Sequence, residues 1–210
     1  FLENLSKLMH DKFNRCGGFV LHDSKEEAQK VINDNVMRRL AKNTQFSDYT
    51  ITEGAKVKAM VSMVKEYDIR STIKKLSTYK NRYYKSQTGI DSQKWVKSQW
   101  EKIAAGRSDV KVELFKHKDF PQPSVIMTIE GTSKVDEIVV IGGHGDSIAG
   151  YWGREKARAP GADDNASGIA TITEVIRVTM ETGHKPERTI KFMSYAAEEV
   201  GLLGSKDIAN

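Results

Sequence analysis

"DEIVVIGGHGDS" (residues 136–147) is the stretch whose reading decides the fold. Ile138 to Ile141 form a continuous β-branched apolar run, the pattern of a central strand covered on both faces. The run passes at once into Gly142, Gly143, His144, Gly145 and Asp146. Glycines there permit close backbone approach, and an imidazole and a carboxylate follow directly on a strand. In open α/β sheets functional groups gather at the carboxyl ends of strands, so this passage predicts both a sheet and a site.

The flanking sequence repeats the pattern. "ASGIATITEVIRVTMETG" (166–183) sets Ile169, Ile172, Val175 and Ile176 on one side of a helix ending near Gly183. "RTIKFMSYAA" (188–197) is another strand, and "VGLLGSKDIAN" (200–210) begins a helix. Strand, helix, strand, helix implies right-handed crossovers and parallel members in the sheet. Upstream, "VKVELFKH" (110–117) and "PSVIMTIEG" (123–131) are further strands bounded by turn residues. Residues 67–106 predict two helices, the second bearing Trp95 and Trp100 on a buried stripe. Residues 1–66 predict a helical segment: "NLSKLMHDKF", "SKEEAQKVINDNVMRRLAKN" opened by a Ser24/Glu27 capping box, and "EGAKVKAMVSMVKEYD".

The 210 residues suffice for one sizeable core and a smaller appended segment, and 29% charged with 39% hydrophobic residues is an ordinary globular balance. No apolar run approaches the roughly 20 residues that span a bilayer, so no membrane partner is expected. The net charge of +5 is uneven: residues 136–210 hold 8 Lys/Arg and 12 Asp/Glu, leaving 25 basic and 16 acidic residues in front. The front lysines are scattered, as in "IRSTIKKLSTYKNRYYKS", and form no nucleic-acid motif. They predict a solvated basic surface, or a face resting on the acidic half, and no nucleic-acid partner. Cys16 is the only cysteine, which excludes an intrachain disulfide and a cysteine-based structural zinc site.

Three clusters fall at strand-to-helix junctions: His144 with Asp146, Asp163 with Asp164, and Glu198 with Glu199. Each alone has a plain explanation, a surface pair in the first case and helix N-caps in the others. Their coincidence at one edge of a sheet points instead to a divalent cation such as zinc, manganese or cobalt.

"IVVIGGHGDS", "APGADDNASGIATITEVIRV" and "FMSYAAEEVGLLGS" together resemble the secreted bacterial leucyl aminopeptidases, a family of co-catalytic di-zinc exopeptidases. The likeness covers roughly the last two-thirds of the chain. It implies a three-layer α/β fold of zinc-exopeptidase type, with helices on both faces of a mixed sheet. It also implies release of amino-terminal residues, large apolar ones by preference, from peptides and proteins outside the cell. His144 and Glu199 would then ligate one zinc, and Asp164 would bridge to a second. Asp146 would hold the His144 imidazole in its tautomer. Glu198 would stay unligated as the general base, taking a proton from the attacking water and passing it to the leaving amine.

The chain departs from that family in three places. Gly145 stands where a bulky residue is common, so looser packing beneath the site is expected. The ligands that complete the second zinc have no counterpart before Asn210, which implies an incomplete sheet, a poorly active portion, and pairing with a carboxyl-terminal portion or another chain. About 66 residues precede the usual start, so residues 1–66 read as a propeptide-like segment and 67–210 as the first part of the catalytic domain. Cys16 then either blocks the zinc as a thiolate or is an incidental cysteine. Two other functions remain open from the residues: a single-zinc acyltransferase of glutaminyl-cyclase type, and a non-catalytic inhibitory module.

Overall fold

The computed structural model describes Leu5, Leu8, Met9, Asp11, Lys12, His22 and residues 24–41, 52–150 and 153–210. Cys16 and its Gly-Gly turn lie outside the described residues. The capping box is formed: Ser24 Oγ accepts the Glu27 N–H at 3.0 Å and opens α1 (Lys25–Ala41). The single helix predicted over residues 53–68 is instead two, α2 (Gly54–Val61) and α3 (Glu66–Ser77). Lys65 between them is extended, and its N–H donates to Glu174 Oε1 at 2.6 Å. A charged tertiary acceptor has displaced the helical one at that position.

Helix α4 (Gln87–Ile103) starts where Ser86 Oγ accepts the Gly89 N–H. Strands β1 (Val110–Phe115), β2 (Ser124–Ile129) and β3 (Lys134–His144) follow, then α5 (Ser167–Glu181), β4 (Arg188–Tyr195) and α6 (Leu203–Ala209). They form an open four-stranded mixed sheet of order β1-β2-β4-β3 among the described residues. β1–β2 and β2–β4 are antiparallel, whereas β3 and β4 run parallel through the α5 crossover. Val125, Met127 and Ile129 alternate along β2 and face the helices, burying against Leu76, Val96, Trp100, Ile169, Ile172, Ile176 and Phe192. Trp100 is wholly buried and donates from Nε1 to Thr173 Oγ1 at 2.9 Å; Trp95 is half-buried beside it. Val175, expected on the apolar side of its helix, lies at the flank of that stripe and is exposed.

One expectation is overturned. β3 is not a covered central strand but an edge of this sheet: Val135, Ile138, Val139, Val140 and Ile141 are all exposed, Ile138 at 52%. An apolar run records a preference for burial, while burial itself needs neighbours, and β3 has only β4 beside it among the described residues. No helix of the described residues is long and apolar enough to cross a membrane.

Candidate metal centre

Parallel pairing brings the ends of β3 and β4 side by side, with His144 opposite Tyr195 and the Gly145 N–H donating to Tyr195 O at 2.7 Å. Past Tyr195 the chain turns at Ala197, whose φ of 53° is a left-handed conformation costly for a residue with a Cβ. That turn aims two successive N–H groups at Asp146, which is almost fully buried. Glu198 N–H reaches Oδ1 at 3.1 Å and Glu199 N–H reaches Oδ2 at 3.2 Å. The third strand-end segment runs through Gly161 into a π-helical turn, Ala162–Ala166, with a cis peptide between Asp164 and Asn165. Asn165 Oδ1 accepts the Gly168 N–H at 2.9 Å and so does the capping, which leaves Asp164 facing His144.

The donor atoms of His144, Asp164 and Glu199 consequently lie within 4.8 Å of one another. His144 Nε2 is 2.9 Å from Asp164 Oδ1 and 3.7 Å from Glu198 Oε2, while its Nδ1 is 3.3 Å from Asp146 Oδ1. Asp164 is half exposed and Glu198 about a third, so the cluster opens to solvent on that side. Asp163, the other acid of its segment, stays outside the group and uses its carbonyl to accept from Ser167 Oγ.

Charge at the cluster is lopsided. Burial opposes a charged His144, yet the hydrogen bonds it donates to the Asp146 and Asp164 carboxylates overcome it and push its pKa up to about 11. Burial, reinforced by Asp146 and Asp164, lifts the Glu199 carboxyl to about 8, and burial likewise raises Glu198. The site thus holds protons to offset its acids, the role a divalent cation would take over. One imidazole nitrogen with two carboxylates is a donor set that fits zinc.

Two features of the surroundings carried no sequence signal. Arg82, one of the basic residues read as a solvated surface, is wholly buried and spans the loops beneath the cluster. It sits in a Lys-rich run whose other members are solvated, and nothing in residue type separates it from them. His117 is the other: its Nδ1 lies 2.7 Å from Asp207 Oδ2, and its Nε2 lies 2.8 Å from Ser124 Oγ, which accepts the Ala196 N–H at 3.0 Å. This chain ties α6 to the base of the Glu198–Glu199 turn. Ser124 is wholly buried, with its oxygen already engaged, so the trio is structural rather than nucleophilic. Gly145 corrects an expectation. Packing beneath the site is tight, because a Cβ there would lie 2.6 Å from both Gln93 Nε2 and Ser194 Oγ. Those two buried side chains fill the space and bond to each other at 2.8 Å.

The imidazole and carboxylates thus gather at the carboxyl ends of adjacent parallel strands of an open mixed α/β sheet, where such sheets place their ligands. Residues 124–210 match the model of the family described as "Peptidase family M28". A probable leucine aminopeptidase of Arthroderma benhamiae is 39% identical over 162 residues, covering 75% of this chain and 44% of that protein. LapB of Legionella pneumophila superposes with a TM-score of 0.74 at 30% identity, over 98% of this chain and 55% of LapB. The LapA aminopeptidase of the same organism gives 0.71 at 32% identity, over 79% of this chain and 44% of LapA. The chain spans under half the length of the curated relatives it matches.

Proposed function

We propose that this chain is the amino-terminal portion of a zinc-dependent aminopeptidase that hydrolyses the first peptide bond of peptides and proteins. By likeness to the leucine aminopeptidases, leucine and other large apolar residues are its preferred amino termini, and it acts as a secreted enzyme. The observation that carries the reading is the convergence of His144, Asp164 and Glu199 within 4.8 Å, with Glu198 beside them. That likeness also favours hydrolysis over the glutaminyl-cyclase alternative.

In this reading His144, Asp164 and Glu199 would hold zinc, with Asp164 also available to a second ion, and the metal would supply a Lewis acid for the scissile carbonyl and a lowered pKa for water. Asp146 fixes the site from below: it steadies the His144 ring and, through the two N–H groups it accepts, the Glu198–Glu199 turn. Glu198 reaches the open side as the general base, takes a proton from the attacking water at its carboxylate, and returns it to the leaving amine. Residues 1–66 form a propeptide-like segment of a zymogen and residues 67–210 the first part of the catalytic domain. The exposed edge of β3 is where a carboxyl-terminal portion or another chain adds its strands.

Zinc titration of the 210-residue chain, with leucyl-p-nitroanilide turnover measured in the chain extended by its carboxyl-terminal portion, tests this. Glu199→Gln is expected to weaken zinc binding by more than the roughly 10–100-fold typical of residues that only support a ligand. Glu198→Gln should keep the zinc and lose about 10²–10⁴ in kcat. Zinc affinity unchanged in both His144→Ala and Glu199→Gln would refute the ligand assignment.

A further inference from the structure

Arg82 reaches every segment that shapes the cluster except the Glu198–Glu199 turn. Its side chain is wholly buried, makes no direct ion pair among the described residues, and donates to backbone carbonyls. Nε donates to Gly145 O at 2.8 Å, on the residue next to His144. Nη1 donates to Pro160 O at 2.6 Å and to Leu76 O at 3.2 Å, and Nη2 to Gly161 O at 3.0 Å. Pro160 and Gly161 lead into the turn that carries Asp164. The main chain of Arg82 repeats the linkage: its N–H donates to Ser147 Oγ, which donates to Ala159 O. One planar cation therefore spans the loop after β3 and the loop before α5.

A buried guanidinium is an expensive way to fill space, since apolar residues of similar volume often serve as well or better. What it offers is a rigid fork of donors that holds several carbonyls at fixed spacing, and a positive charge beside Asp146, Glu199 and Asp164. Gly161 shows how closely the fork is fitted. With φ at 50°, a Cβ on it would lie 2.7 Å from Arg82 Nη2.

We propose that Arg82 is the positioning residue of this site: its guanidinium fixes the His144 loop against the Asp164 loop, so that presentation of both ligands to one cation depends on it. The proposal rests on the ligand assignment made above.

The test uses the 210-residue chain and reads zinc affinity by chelator competition, together with the visible absorption of the cobalt(II)-substituted protein. Arg82→Met and Arg82→Lys are compared with Glu174→Gln, a buried polar change in α5 that touches none of the ligand loops. Expected is a loss of about 10–100-fold in zinc affinity and an altered cobalt spectrum in both Arg82 variants, with both readouts unchanged in Glu174→Gln. Lysine should not rescue, because it keeps the charge and loses the fork. Arg82→Lys, the more conservative change, decides the matter if Arg82→Met does not fold. Zinc affinity and cobalt spectrum like wild type in folded Arg82→Met, or in Arg82→Lys where Arg82→Met is unfolded, overturns the proposal. A wild-type chain that binds no zinc strikes the ligand assignment instead, and the proposal falls with it.

Discussion

Glu198 and Glu199 share a turn but not an environment. Both N–H groups are held by Asp146, yet only the Glu199 carboxylate joins His144 and Asp164, while Glu198 lies on the open side. In the proposed reading a bound cation would offset the Glu199 charge, while Glu198 stays toward solvent. Gly145 is a position with no room for a side chain. Because Gln93 and Ser194 already occupy the volume of a side chain, Gly145→Leu should destabilise the fold by about 1–3 kcal/mol, read by chemical denaturation. The candidate ligands were legible in the sequence because His144 and the Glu198–Glu199 pair follow directly on strands and Asp164 stands just before a helix. Arg82 was not, since burial of a cation depends on carbonyls from Leu76, Gly145, Pro160 and Gly161 that only the fold assembles.

Among the elements, the break between α2 and α3 is set by α5. Glu174, almost fully buried, accepts from the Lys65 N–H and from Arg177, and Arg177 in turn donates to Met63 O at 2.6 Å. Burial works against a charged Glu174, but Arg177 and the Lys65 N–H override it and hold its carboxyl below the usual value of 4.5. A pKa lowered by folding adds stability above the unfolded value and forfeits it as the pH falls through the folded one. The wild-type chain should therefore lose stability below about pH 4.5, and Glu174→Gln should flatten part of that acid limb while costing about 1–3 kcal/mol at neutral pH. Thermal melts from pH 3 to pH 7 distinguish these outcomes. Helix and strand periodicity in residues 53–68 gave no hint of the break, because its cause lies on α5, far away in sequence. By contrast β1, β2, β4, α4 and α5 were legible from local pattern, since turn residues and alternation marked their ends.

At the scale of the whole molecule, the sheet is open where β3 meets solvent, and the parallel pairing of β3 with β4 followed from the crossover rule. The place of β3 in the strand order did not, because no local pattern says how many neighbours a strand will have. A long apolar edge invites pairing with other chains. The 210-residue chain should self-associate at micromolar concentration, and Val140→Lys, at a position 51% exposed, should reduce that association without changing the circular dichroism. Sedimentation velocity provides the measurement. The register of β3 on β4 also has a consequence in time. His144 and Tyr195 meet only after about fifty residues, including all of α5, have closed into a loop, a slow kind of contact in a folding chain. The imidazole and the glutamate pair arrive together with that closure and not before it, and a fraying of the outer strand carries His144 away from Glu199. In the proposed metal site, the lifetime of a bound ion and that of one edge-strand pairing would then be tied to the same opening event.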